Sequence, residues 1–310
     1  MNPYTALLLG VLFAGMGGEL FVRGVVGLSQ WARVSAGIVG ATLAAFATSS
    51  PELSVAVSSA LAGSPEIALG DALGSNVVNI ALILGIAVSI ASVRAPRETV
   101  RREFLTALIT PLALWLMLAD GRLSRLDGLL LLAGFAAWLG WVVREASRQR
   151  QAVAAPETKV RVWSVVLAGV AGLALLVAAG RLIVVGAQGI ATAFGLDPFL
   201  VGATLVALGT SVPELATAVI SQLRGHHEVG LGTLLGSNIF NCLFIVGTAS
   251  SIHPIVADWG EVAIAVVFGV AAVAASVPAR NGLIARRRGT LLLAFYAAYV
   301  TLLMAGGGGG

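Results

Sequence analysis

Apolar runs separated by short polar connections recur along the chain. Ten of them are long: about 4–29, 36–62, 67–91, 102–119, 126–146, 162–191, 198–223, 229–251, 259–277 and 289–306. Roughly 20 mainly apolar residues suffice for a helix to cross a bilayer, so the pattern predicts an all-α polytopic membrane protein with ten transmembrane helices. The first and sixth runs exceed what a perpendicular crossing needs and predict tilted helices. The longest connection, residues 147–161, is polar and Ala-rich, and it splits the chain into two units of five spans, 1–146 and 162–310.

The two units share a stretch of sequence. Val39–Gly85 returns 162 residues later as Val201–Gly247, with about 26 of 47 positions identical. Such an internal repeat points to a duplicated architecture. The identities include polar residues that apolar packing does not require. They are Thr48, Ser49, Pro51, Glu52, Gly74, Ser75, Asn76 and Asn79, with partners Thr210, Ser211, Pro213, Glu214, Gly236, Ser237, Asn238 and Asn241.

Composition agrees with the pattern: 58% of residues are hydrophobic, 11% are charged, and the mean hydropathy is +0.95. Soluble domains carry about 25% charged residues, and no polar stretch here is long enough to fold alone. The net charge of +4 does not indicate a nucleic-acid partner, because the basic residues sit in short loops between apolar runs. Of the 19 basic residues, 15 fall in or at the edges of the loops after spans one, three, five, seven and nine, against Arg122 and Arg125 on the opposite side. The positive-inside rule then puts the first set in the cytoplasm and both termini outside. Five spans per unit is an odd number, so the two copies of the repeat cross in opposite directions. Inverted pairs of this kind place substrate sites near the membrane midplane, on interrupted helices at the repeat interface. The first run has no basic segment in front and is too long for a signal peptide. Arginine supplies nearly all of the positive charge, which suits a prokaryotic inner-membrane protein.

Glu52 and Glu214 lie near the middle of spans two and seven. A charged side chain at that depth costs about 2.5–3.5 kcal/mol on insertion scales and marks a functional position. Each follows a proline, so the carbonyls of Ala47 and Gly209 lose their helical donors; such groups are tolerated where they face a polar cavity. Thr48, Ser49 and Glu52 share one helix face at spacings of three and four, as do Thr210, Ser211 and Glu214. Ser75 with Asn79, and Ser237 with Asn241, form a second wall, behind Gly74 and Gly236, which allow close helix approach. An all-oxygen set of this kind suits a hard cation such as Ca²⁺, whereas transition metals would call for Cys or His.

A lone Ser, Thr or Gly in a membrane helix ordinarily serves packing, and it is the duplicated set that argues otherwise. Glu19 and Arg23, four apart, read as an intrahelical pair. Asp71, replaced by Thr233 in the second copy, is either a lining residue of an access route or a polar residue near a helix end. Arg181 aligns with Glu19 and has no evident task. Cys242 reads as a small buried hydrophobe, and His226 and His227 as solvated loop residues.

The two motifs, ATSSPE at Ala47–Glu52 and GTSVPE at Gly209–Glu214, each followed by GSNxxN, resemble the α-repeats of the calcium/cation antiporter superfamily (here 36–91 and 198–251). The similarity is nearest to the prokaryotic sodium/calcium exchangers. The resemblance implies that Glu52 and Glu214 are central Ca²⁺ ligands, with backbone oxygens of Thr48 and Thr210. It also implies Na⁺ sites formed with Ala45, Ser49, Ser75, Ala207, Ser211 and Ser237, and places Asn79 in the middle of the site. Asn241 departs from the pattern, since these exchangers commonly carry Asp there. The expected activity is antiport of Na⁺ against Ca²⁺ by alternating access, with no cofactor, no enzymatic step and no obligate protein partner beyond the bilayer. Competing readings are a Ca²⁺/H⁺ antiporter, an exchanger of Mg²⁺, Mn²⁺ or K⁺, and a cation channel. An intramembrane protease is disfavoured, because the chain has no HExxH and no paired mid-span aspartates.

Overall fold

The computed structural model describes residues 2–95, 97–152, 161–193 and 207–306. Helix α1 (Pro3–Ala32) starts where the Asn2 side chain accepts the Tyr4 amide at 2.9 Å, with Pro3 in the first turn; proline suits that turn because its missing N–H would be unpaired there anyway. Arg33, with φ of 58°, ends it. Helix α2 follows in two arms, Ala36–Thr48 and Ser50–Leu61. Then come α3 (Glu66–Ile90), α4 (Arg97–Met117) and α5 (Arg125–Ala152). The second half repeats the order with α6 (Val162–Ala193), α7 in arms Ala207–Thr210 and Val212–Leu223, α8 (His227–Ile252), α9 (Trp259–Ser276) and α10 (Arg286–Gly306).

These helices fall on the ten apolar runs, with two differences. Helix α5 continues to Ala152, so part of the expected 147–161 connection is helical, and residues 153–160 lie outside the described residues. The start of the seventh run, 198–206, also lies outside them.

Among the described residues, five helices, α1, α3, α5, α6 and α8, are each long and apolar enough to cross a membrane. Their burial sorts them into layers. The apolar windows of α3 and α8 are 72% and 94% buried, while those of α1, α5 and α6 are 33%, 22% and 17% buried. The repeat helices therefore form the centre and the long apolar helices surround it. Side chains such as Leu116, Trp163 and Leu167 stay exposed on the outside, as a lipid-facing surface requires. Helices α1 and α6 touch backbone to backbone: a Cβ on Gly172 would lie 2.4 Å from the Phe21 nitrogen.

Short strands tie the halves together. β1 (Val93–Arg94) pairs antiparallel with β4 (Leu283–Ile284), and β2 (Arg122–Leu123) with β3 (Ile255–Val256). Each half thus lends one strand to a ribbon with the other. Near the second ribbon, Trp115 and Trp259 stack at 4.2 Å, and each indole N–H donates to the other's carbonyl, at 3.1 and 3.2 Å.

Candidate cation site at the helix breaks

Both mid-span glutamates sit in the first turn after a helix break. Ser49 (φ −85°, ψ 11°) interrupts α2 and Ser211 (φ −85°, ψ 5°) interrupts α7, each followed within the new first turn by proline and glutamate. Proline cannot donate to the preceding turn, so the sequence itself ends one arm and starts the next. The carbonyl that Pro51 leaves free, that of Ala47, accepts the Ser50 hydroxyl at 2.8 Å. The N-terminus of each new arm carries partial positive charge next to its carboxylate.

This break corrects one expectation. Thr48 closes the first arm and Glu52 belongs to the second, so they do not share a continuous helical face. The hydroxyls serve the opposite copy instead. The Thr210 side chain hydrogen-bonds Glu52, and the Thr48 hydroxyl, 3.3 Å from the Ala45 carbonyl, is also within reach of Glu214. Ser49 Oγ lies 3.3 Å from Glu214 Oε1 and 2.9 Å from Ser237 Oγ.

Helices α3 and α8 supply the second wall. Each contains a π-helical stretch, Val78–Leu84 and Asn241–Ile245, a distortion frequent at functional sites. Asn79 and Asn241 sit at these stretches. Ala45, Ser75 and Ser211 are buried with them, Thr210 is half-buried, and the Ala207 side chain lies outside the described residues.

Glu52 and Glu214 are 2% and 1% exposed. Among the described residues, the ion pairs are Glu19 with Arg23 and Arg224, and Arg102 with Glu103 and Glu145, so no basic side chain pairs with either glutamate. Glu52 Oε2, Glu214 Oε2, Asn79 Oδ1 and Asn241 Oδ1 are all buried without a hydrogen-bond partner. Leaving one buried acceptor unsatisfied costs about 1–3 kcal/mol, more for a charged group. Carboxylate plus amide oxygens are the donor set that Ca²⁺ takes.

The family model described as sodium/calcium exchanger protein matches residues 3–144 and again 164–305. The chain belongs to the sodium/calcium exchanger family. Among its relatives, the putative antiporter CaxA of Alkalimonas amylolytica is 36% identical over 261 residues, 81% of each chain. The inner membrane protein YrbG of Escherichia coli is 34% identical over 227 residues, 70% of each. The solved structure of the sodium-calcium exchanger NCX_Mj, soaked with 10 mM Na⁺ and 10 mM Sr²⁺, superposes with a TM-score of 0.84 at 28% identity, covering 96% of this chain and 97% of that one. The membrane character read from the apolar runs accords with this membership.

Two of the duplicated residues that were not among the expected ligands, Asn76 and Asn238, lie next to the site. Asn76 Nδ2 donates to the Asn238 carbonyl at 3.3 Å, and Asn238 Nδ2 to the Asn76 carbonyl at 3.1 Å. Their signal was present, since both are identical in the two copies and lie three residues before Asn79 and Asn241. Other expectations are refined. The Glu19–Arg23 pair forms at 2.7 Å and gains Arg224 at 2.7 Å. Gly236 is a close-approach glycine, with the Ala41 oxygen 2.2 Å from where its Cβ would be, but Gly74 has only Tyr299 Oη at 3.9 Å. Cys242 is buried as expected and also accepts from Asn76 Nδ2 at 3.0 Å. His227 is not simply solvated: its Nδ1 lies 2.8 Å from Gln222 Oε1.

Proposed function

We propose that this chain is a secondary antiporter exchanging Na⁺ for Ca²⁺ at one shared site, with Glu52 and Glu214 as the central ligands. The observation that carries the reading is that Glu52, Glu214, Asn79 and Asn241, all duplicated positions, each keep a buried oxygen without a hydrogen-bond partner. Thr48, Thr210, Ser49, Ser211, Ser75, Ser237, Ala45 and Ala207 complete the proposed coordination as the family resemblance implies. The family match in two blocks and the names of the relatives support cation exchange.

The proposed architecture is ten transmembrane helices in two inverted units, 1–146 and 162–310, in the inner membrane of a prokaryote, with both termini outside. Loop charge is the main support. The strand pairs add to it: β1 and β4 lie in loops that alternate crossing assigns to the cytoplasm, and β2 and β3 in loops assigned to the outside.

Two glutamates carry a charge of about −2, which one Ca²⁺ or two Na⁺ would neutralise. A site that holds one cargo or the other, but not both, enforces exchange as the halves alternate access. A third Na⁺ would move uncompensated, so a cycle of three Na⁺ per Ca²⁺ carries current. The test is Ca²⁺ uptake into proteoliposomes loaded with Na⁺, with K⁺, or at an imposed pH gradient. Uptake driven by Na⁺ alone is expected. Uptake driven by the pH gradient without Na⁺ would instead assign proton coupling, and uptake indifferent to all three would point to a channel.

A further inference from the structure

The free oxygens of Asn79 and Asn241 are oriented by a chain of hydrogen bonds that begins at two backbone carbonyls. A carbonyl can only accept, so Asn76 must present its amide nitrogen to the Asn238 carbonyl, 3.3 Å away. The second hydrogen of the same nitrogen meets Cys242 Sγ at 3.0 Å. Asn76 Oδ1 is thereby turned toward Asn241, whose Nδ2 donates to it at 3.1 Å. Asn241 Oδ1 is then left facing away, buried and without a partner.

The mirror image holds in the other half. Asn238 Nδ2 donates to the Asn76 carbonyl at 3.1 Å, and its Oδ1 accepts from Asn79 Nδ2 at 3.1 Å. Asn79 Oδ1 is the free atom. All four side chains are at most 4% exposed, so water does not compete for these bonds. Flipping any one amide would set two donors or two acceptors against each other. The orientation is therefore determined by the network as a whole.

We propose that Asn76 and Asn238 are positioning residues that hold the ligand oxygens of the opposite repeat toward the cation, Asn76 for Asn241 and Asn238 for Asn79. The proposal rests on the cation-exchange reading above. It also gives Asn241 a reason to be an amide: its nitrogen supplies the donor that Asn76 Oδ1 requires, and an ionised carboxylate has none to offer. The coupling crosses the repeat boundary, so neighbours three residues apart on one helix are not the functional pairs.

The test is a pair of double-mutant cycles read as the KM for Ca²⁺ uptake in Na⁺-loaded proteoliposomes, with wild type as control. Loss of an outer-shell partner typically costs about 10–100-fold in metal affinity, so Asn76→Leu and Asn238→Leu are each expected to raise KM by about that factor. Asn76→Leu should add less than about twofold when Asn241→Ala is already present, yet keep its full effect with Asn79→Ala, because coupled residues are non-additive and independent ones additive. Asn238→Leu should show the reverse. Additive effects in both cycles, or equal coupling to both ligands, would overturn the proposal. If Asn76→Leu does not fold, Asn76→Ala is used and must show the same crossed pattern. Failure of both to fold while Asn79→Ala and Asn241→Ala do would assign Asn76 to packing and also overturn it. Absence of wild-type uptake would instead count against the exchange reading itself.

Discussion

Ser49 Oγ lies 2.9 Å from Ser237 Oγ and 3.3 Å from Glu214 Oε1, so a hydroxyl from the α2 break joins two residues of the other repeat. A hydrogen bond to a charged group contributes about 1.5–3 kcal/mol, and 1.4 kcal/mol is tenfold in an equilibrium constant. Ser49→Ala is therefore expected to raise the half-saturating Na⁺ concentration for Ca²⁺ efflux by about tenfold. The double variant with Ser237→Ala should be less than additive. A fully additive pair would separate the two hydroxyls functionally.

The repeats are not equivalent at their glycines. A Cβ on Gly236 would meet the Ala41 oxygen at 2.2 Å, whereas one on Gly74 would meet only Tyr299 Oη at 3.9 Å. Overpacking costs about 1–3 kcal/mol, so Gly236→Ala should lower the thermal midpoint in detergent and Gly74→Ala should leave it nearly unchanged. Equal effects would contradict the asymmetric packing of α8 and α3.

Orientation can be read with cysteine labels, because the single native cysteine, Cys242, is fully buried. In a Cys242→Ser background, Asp120→Cys and Arg287→Cys place one thiol at each of two exposed positions. An impermeant maleimide added to intact cells is expected to label the first and to reach the second only after permeabilisation. The opposite pattern would invert the proposed topology.

The site was legible in the sequence to the extent that its chemistry clashes with its surroundings. Glu52 and Glu214 stand out as unpaired carboxylates in apolar runs, and duplication separated Thr48, Ser49, Ser75 and Asn79 from ordinary packing residues. Spacing on an ideal helix then misled, because it ran Thr48 and Glu52 along one face when Pro51 and Ser49 break the helix between them. The π-helical stretches at Asn79 and Asn241 also left no sequence mark, since they depend on tertiary packing. Asn76 and Asn238 were visible as identities, but their roles depend on which amide meets which carbonyl across 162 residues of sequence. Only the folded chain brings those groups together.

The central claim is that two buried carboxylates without a cationic side chain hold the transported ion. Its most direct test is Na⁺-driven Ca²⁺ uptake by wild type, Glu52→Gln and Glu214→Gln in proteoliposomes, with folding checked by thermal midpoint. Glutamine keeps the volume and one oxygen but removes the charge. The expected result is robust uptake by wild type and none above background for either variant, with folding retained. Wild-type uptake by folded Glu52→Gln and Glu214→Gln would contradict the claim.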